Sequence, residues 1–148
     1  MLHFVDVNLK DVFHQGRDYK WKQPSHCPRC FHCRVWGHGF VDRIFDHFTA
    51  PLPIKRFRCD RCGCIICCRP ASHFRRIQAS VSSIKVFLRH RLAHGRWLSQ
   101  TPHSRQRHWF RNLKRKILAH FGLIDIGGLL EGYEKLLRLG QIPVSSSN

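Results

Sequence analysis

Four cysteines carry the most specific chemistry in this chain. Cys27-Pro-Arg-Cys30 and Cys59-Asp-Arg-Cys62 are two Cys-x-x-Cys pairs separated by 28 residues. A two-residue spacer lets both sulfurs of one turn face the same ion, and two such turns complete a tetrahedron. The pattern predicts a zinc site built from Cys27, Cys30, Cys59 and Cys62. Gly63 comes directly after the second pair and suits the positive φ that such a knuckle needs. Phe31 occupies the matching place in the first pair, so that knuckle is less typical.

The other chemistry-bearing residues are less ordered. Cys33, Cys64, Cys67 and Cys68 read as small buried apolar residues beside the site, with a second metal or a redox pair as the alternative. The twelve histidines are scattered. His26, His32 and His38 are alternative ligands. His90 and His94 lie one turn apart but lack the glutamate of a metalloprotease motif. No base and nucleophile can be paired, so the chain reads as a non-enzyme.

The formal net charge is +17. Its distribution is uneven: residues 71–121 hold twelve Lys/Arg and no acid. Self-repulsion on that scale calls for a polyanion, and nucleic acid is the commonest. No apolar run has the length to span a membrane, and the amino-terminal residues do not form a secretory signal. Paired cysteines at metal-ligand spacing point to a reducing, intracellular setting.

These residues need elements to hold them. Residues 2–7 alternate as a short strand, and 1–24 form a strand and lead-in. Residues 25–70 form the metal module. There Arg34–Phe40 reads as a strand with a glycine break, continued by Val41–Phe45, and Pro51-Leu-Pro53 as a turn or edge. Ile54–Arg58 is a half-exposed strand with a basic outer face that includes Arg56 and Arg58. Ile65–Cys68 is a closing strand. The predicted class is α+β: an amino-terminal zinc ribbon, a small antiparallel sheet, followed by a helical segment.

The basic helical region spans 71–140. Ser72 is a candidate cap for a helix whose stripe is Ile77, Val81, Ile84, Leu88 and Leu92, ended by Gly95. Ser104 is the expected cap of a second helix running to about Phe121. Trp109, Phe110, Leu113, Ile117 and Phe121 share one side, and Arg107, Arg111 and Arg115 the other. Arg105, Lys114 and Lys116 join the candidate nucleic-acid contacts of this helix. Arginine's planar fork fits phosphate and the guanine edge. The layout suggests a degenerate helix-turn-helix with 104–119 as recognition helix. A third helix is expected from Asp125 to Leu139, weakened by Gly127, Gly128 and Gly132. Residues 141–148 are a tail whose last four residues fray.

Cys27-Pro-x-Cys30, Trp36-Gly-His38-Gly39-Phe40-x-x-Arg43 and Ile54-Lys-Arg-Phe-Arg58-Cys59-x-x-Cys62-Gly63 together resemble the zinc ribbon of insertion-sequence transposases and small transposon-associated proteins of unknown function. Ser104-Arg-Gln-Arg-His-Trp109 is similar to the segment after the ribbon in some of those small proteins. The ribbon match covers about residues 27–70. It implies a zinc-dependent module that helps hold transposon DNA, in the bacterial cytoplasm. A transposase catalyst needs three separated carboxylates around magnesium, and this chain has no acid between Asp60 and Asp125. The resemblance therefore implies a DNA-binding portion or accessory, with duplex DNA and a transposase as partners. Two alternatives stand beside it. One is an RNA-binding ribbon in which Trp36, Phe40 and Trp97 stack on bases, although Trp36 also reads as a core residue. The other is a module that docks on a transposase through 125–139.

Overall fold

A computed structural model describes residues 1–122 and 128–146. The chain divides into two compact units, Met1–Ser80 and Val81–Asn148.

Unit 1 is a four-stranded sheet in the order β1-β4-β3-β2, with β1 Leu2–Val5, β2 Val35–Arg43, β3 Leu52–Cys59 and β4 Ile65–Pro70. β2, β3 and β4 form an antiparallel meander. The sheet is mixed rather than wholly antiparallel, because β1 pairs in parallel with β4. β2 is one strand with a bulge between Gly37 and Phe40. Pro53 lies inside β3 rather than in a turn, paired with Asp42. β4 pairs with β3 only over Arg56–Arg58, so the missing amide of Pro53 costs no bond to it. Helix α1, Leu9–Gln15, starts at Asn8, whose side chain accepts from the Lys10 amide at 3.0 Å.

Cross-strand partners share a face. Val5, Val35, Phe57, Cys59, Ile66 and Cys68 fall on one face, and all are buried. Phe4, Trp36, Arg56, Arg58, Ile65, Cys67 and Arg69 fall on the other. Trp36 is 51 % exposed on this open face, so it is not the core residue its surroundings in sequence suggest.

Residues 71–80 are not the start of a helix. Ser72 caps nothing; His73 bridges to Ser80, and Arg76 takes a left-handed φ of 63° that no helix allows. His73 is buried edge-on against Phe45, with ring centroids 4.9 Å apart. Burial, and then the Arg69 charge, push the His73 pKa from 6.5 down to about 4, against the pull of Asp46. The unfolded chain takes up this proton first on acidification. The contribution of the neutral His73 to stability is fully present above pH 6.5 and is lost as the pH falls towards 4. Denaturant titrations of unit 1 across this window should lose on the order of 3 kcal/mol. His73→Phe keeps the ring packing and should flatten that part of the profile.

Unit 2 contains α2 Val81–His94, α3 His103–Phe121 and α4 Leu129–Arg138. α2 ends at Gly95 as its sequence predicts, with the Gly95 amide donating to Arg91 at 3.0 Å. α3 begins one residue before Ser104, after Pro102, and ends at Gly122. Residues 95–102 separate α2 from α3, a longer link than the three or four residues of a helix-turn-helix turn. The expected start of the third helix at Asp125 lies outside the described residues; α4 is observed from Leu129.

Gly132 belongs to α4 because α3 passes too close for a side chain. A Cβ there would meet Ile117 Cδ1 at 2.5 Å and Cγ1 at 2.8 Å. Ile117 is itself buried and cannot simply swing away. Gly132→Ala should destabilise unit 2 by about 1–2 kcal/mol, overpacking outweighing the gain in helix propensity. Adding Ile117→Val should recover part of that loss in thermal melts.

The tail is docked through Ser145, the first of the four residues expected to fray; the last two, 147 and 148, lie outside the described residues. Lys116 Nζ donates to Ile142 O and Ser145 Oγ, both at 2.8 Å, and Asn112 Nδ2 donates to Val144 O at 3.1 Å. These carbonyls sit against buried polar groups of α3 that need partners, so the tail and helix satisfy each other.

Candidate metal centre and basic helix

The two knuckles are built alike. In the first, the Cys27 amide donates to His32 O and the Phe31 amide to Cys27 O, both at 2.9 Å. In the second, the Cys59 amide donates to Cys64 O at 3.0 Å and the Gly63 amide to Cys59 O at 3.1 Å. The residue after each pair takes positive φ: 65° at Gly63 and 56° at Phe31. Phe31 therefore carries strain that glycine would not, and at 78 % exposure it buries little in return. Phe31→Gly should raise the stability of unit 1 by about 0.5–1 kcal/mol in denaturant titrations, after the entropic cost of glycine.

The knuckles bring four sulfurs together. Cys27 Sγ lies 3.6 Å from Cys62 Sγ, and Cys30 Sγ lies 3.6 Å from Cys59 Sγ. All four lie within 4.8 Å of one another. A tetrahedron of ~2.3 Å metal–sulfur bonds has edges of ~3.8 Å, so the cluster matches one ion held by four thiolates. All four predicted ligands converge, and His26, His32 and His38 are not part of the cluster.

The electrostatics also favour a cation. Burial opposes ionisation of Cys27, but the amides of Arg29 and Cys30 and the neighbouring thiols stabilise its thiolate, and its pKa is pulled down to about 6. The Arg29 amide reaches Cys27 Sγ at 3.4 Å. For Cys30 the His32 amide favours the thiolate, yet burial and three adjacent sulfurs outweigh it, pushing the pKa up to about 12. Once one sulfur has ionised the next resists, and a divalent ion removes that penalty.

The remaining cysteines do not join the site. Cys68 is buried as expected and Cys64 and Cys67 are half-buried, but Cys33 is exposed, so it is not a core residue. Burial pushes the Cys68 thiol up to about 12.

Comparison with family models, curated proteins and solved structures returns no match. The site's own chemistry therefore carries the functional reading.

In unit 2, Arg107, Arg111 and Arg115 are exposed along one face of α3, with Lys114 at its margin. Arg105 and Lys116 do not share that face. At about 100° per residue both fall on its far side. Arg105 is half-buried and Lys116 is buried against the tail, where burial lowers its pKa. The basic face has an aromatic floor that the helical period does not reveal. Trp97 packs edge-on against Phe110 at 5.7 Å, Lys114 Nζ lies 4.8 Å from the Phe110 ring and the Arg91 guanidinium 4.5 Å from Trp97. Trp97 sits in the link before α3 and Arg91 on α2, so only tertiary packing brings them here. Arg56 and Arg58, the other predicted contacts, lie on the open face of the unit 1 sheet.

The docking segment expected over 125–139 uses its apolar side internally: Leu129, Tyr133 and Leu136 are buried. Among the described residues no helix is long and apolar enough to cross a membrane.

Proposed function

We propose that this is a zinc-dependent, non-catalytic DNA-binding protein, with duplex DNA as its partner and the transposon-linked zinc-ribbon proteins as its relatives. The observation that carries the metal part is the four-sulfur cluster within 4.8 Å. Four thiolates in a closed tetrahedral set are the donor environment of structural zinc, with no open position for a reacting water. Bound zinc would hold the two knuckles, and with them the ends of β2, β3 and β4.

The DNA part is supported by the α3 face. Arg107, Arg111 and Arg115 repeat every four residues, so one side of the helix presents a row of guanidiniums to phosphate or to base edges. Lys114 and the ring of Phe110 extend it with cationic and apolar surface. Among the described residues Arg107, Arg111, Lys114 and Arg115 are in no ion pair, whereas Lys85 of the same acid-free stretch pairs with Glu134. Fluorescence anisotropy with a labelled duplex at two salt concentrations tests the reading. Micromolar or tighter binding at low salt, falling steeply as salt rises, is expected; no binding at low salt contradicts it.

A further inference from the structure

We propose that a cavity on the open face of the unit 1 sheet is a phosphate-binding site, and that it takes the phosphodiester of a single-stranded nucleic acid. The cavity has a volume of about 580 Å³, and Arg43, Arg69, Arg75 and Arg76 line it. Asp42 supplies the acidic residue of the lining and Cys67 part of the floor. Arg56 stands directly across from Cys67 in the β3–β4 register, so its side chain shares this face. Burial raises the Cys67 pKa, and the charges of Arg43, Arg56 and Arg69 all oppose that rise.

Among the described residues none of the five arginines is in an ion pair. Two are also incompletely hydrogen-bonded: Arg56 Nε and Arg69 Nε are buried without a partner. A buried donor on a charged group is costly to leave unsatisfied, and for Arg69, which lines the cavity, an entering anion would supply the acceptor. Arg69 is anchored meanwhile, since its Nη2 donates to Phe74 O and, at 2.9 Å, to Ile77 O. Those bonds fix the loop that carries Arg75 and Arg76. The left-handed φ of 63° at Arg76 is a strained conformation held at the cavity's rim.

The surroundings select a single strand as the source of the phosphate. Phe4 is paired with Arg69 across β1 and β4 and is 54 % exposed. Ile65 and Trp36 are exposed on the same face, with Arg58 between them in the register. An open sheet with apolar and aromatic side chains among arginines stacks unpaired bases, whose faces a duplex hides. This site needs nothing from α3.

The test uses the zinc-loaded full chain carrying Arg107→Gln, Arg111→Gln and Arg115→Gln, so that duplex binding by α3 and binding here are read separately. The probes are inorganic phosphate and a labelled oligothymidylate of about eight nucleotides. Phosphate is expected to shift the Nε–Hε resonance of Arg69. The oligonucleotide is expected to bind at least about tenfold more tightly than phosphate, because stacking adds to the phosphate contact. Arg75→Gln with Arg76→Gln should weaken both probes, the oligonucleotide by on the order of 100-fold. Phe4→Ala should weaken only the oligonucleotide. An unmoved Arg69 resonance, or oligonucleotide affinity unchanged in the Arg75/Arg76 variant, would overturn the site. Phosphate binding without tighter oligonucleotide binding would overturn its assignment to a nucleic-acid strand.

Discussion

Cys59→Ser is expected to abolish stoichiometric metal binding and with it the folded state of unit 1. Cys59 is buried at the end of β3, and its sulfur meets Cys30 Sγ at 3.6 Å. A serine oxygen is a poor substitute for a soft thiolate, and three sulfurs leave the ion open to water and chelators. Structural zinc contributes ~10–16 kcal/mol of apparent binding free energy at neutral pH, and folding stability of whole domains is ~5–15 kcal/mol. A loss of that order cannot be absorbed by the hydrophobic cluster around the site. Near-ultraviolet circular dichroism should lose the signal of Trp21, which packs on that cluster. A chelator added to the unsubstituted protein should reproduce the effect. Cys33→Ser, at an exposed residue outside the cluster, should change neither metal content nor spectrum.

The second large effect is expected at α3. Replacing Arg107, Arg111 and Arg115 together by glutamine should lower duplex affinity at low salt by on the order of 100-fold or more. The slope of log affinity against log salt should flatten by about 0.9 for each phosphate contact removed. Lys116→Gln provides the contrast. Its ammonium is engaged with Ile142 O and Ser145 Oγ, so its loss should lower unit 2 stability and leave the salt slope unchanged. Equal effects of the two changes on the salt slope would remove α3's exposed face from the interface.

The features legible in the sequence are those set by local spacing. Cys-x-x-Cys turns are self-contained, so the four ligands can be read from two short segments. The ends of α2 at Gly95 and of α3 near Phe121 come from glycine stop signals, and the Arg107, Arg111 and Arg115 row from the helical period. Features set by distant pairing are not legible. The parallel pairing of β1 with β4 joins residues more than sixty apart and needs no motif. Residues 72–80 carry an apolar period that continues into α2, but the left-handed Arg76 and the His73–Ser80 bridge set that segment apart. Adjacency to Arg115 groups Lys116 with the basic face, although one step along a helix turns a side chain well away. Its true environment depends on a serine-rich tail that gives no sign in sequence of docking. The glycine at 132, a weak point for helix propensity, is required by the approach of Ile117.

The most direct measurement is the metal content of the purified protein together with sulfur-to-metal coordination by X-ray absorption. One zinc per chain, with four sulfurs at ~2.3 Å and no nitrogen or oxygen ligand, is the predicted result. Metal-free protein that keeps unit 1 folded, or a zinc shell that includes histidine nitrogen, would contradict it.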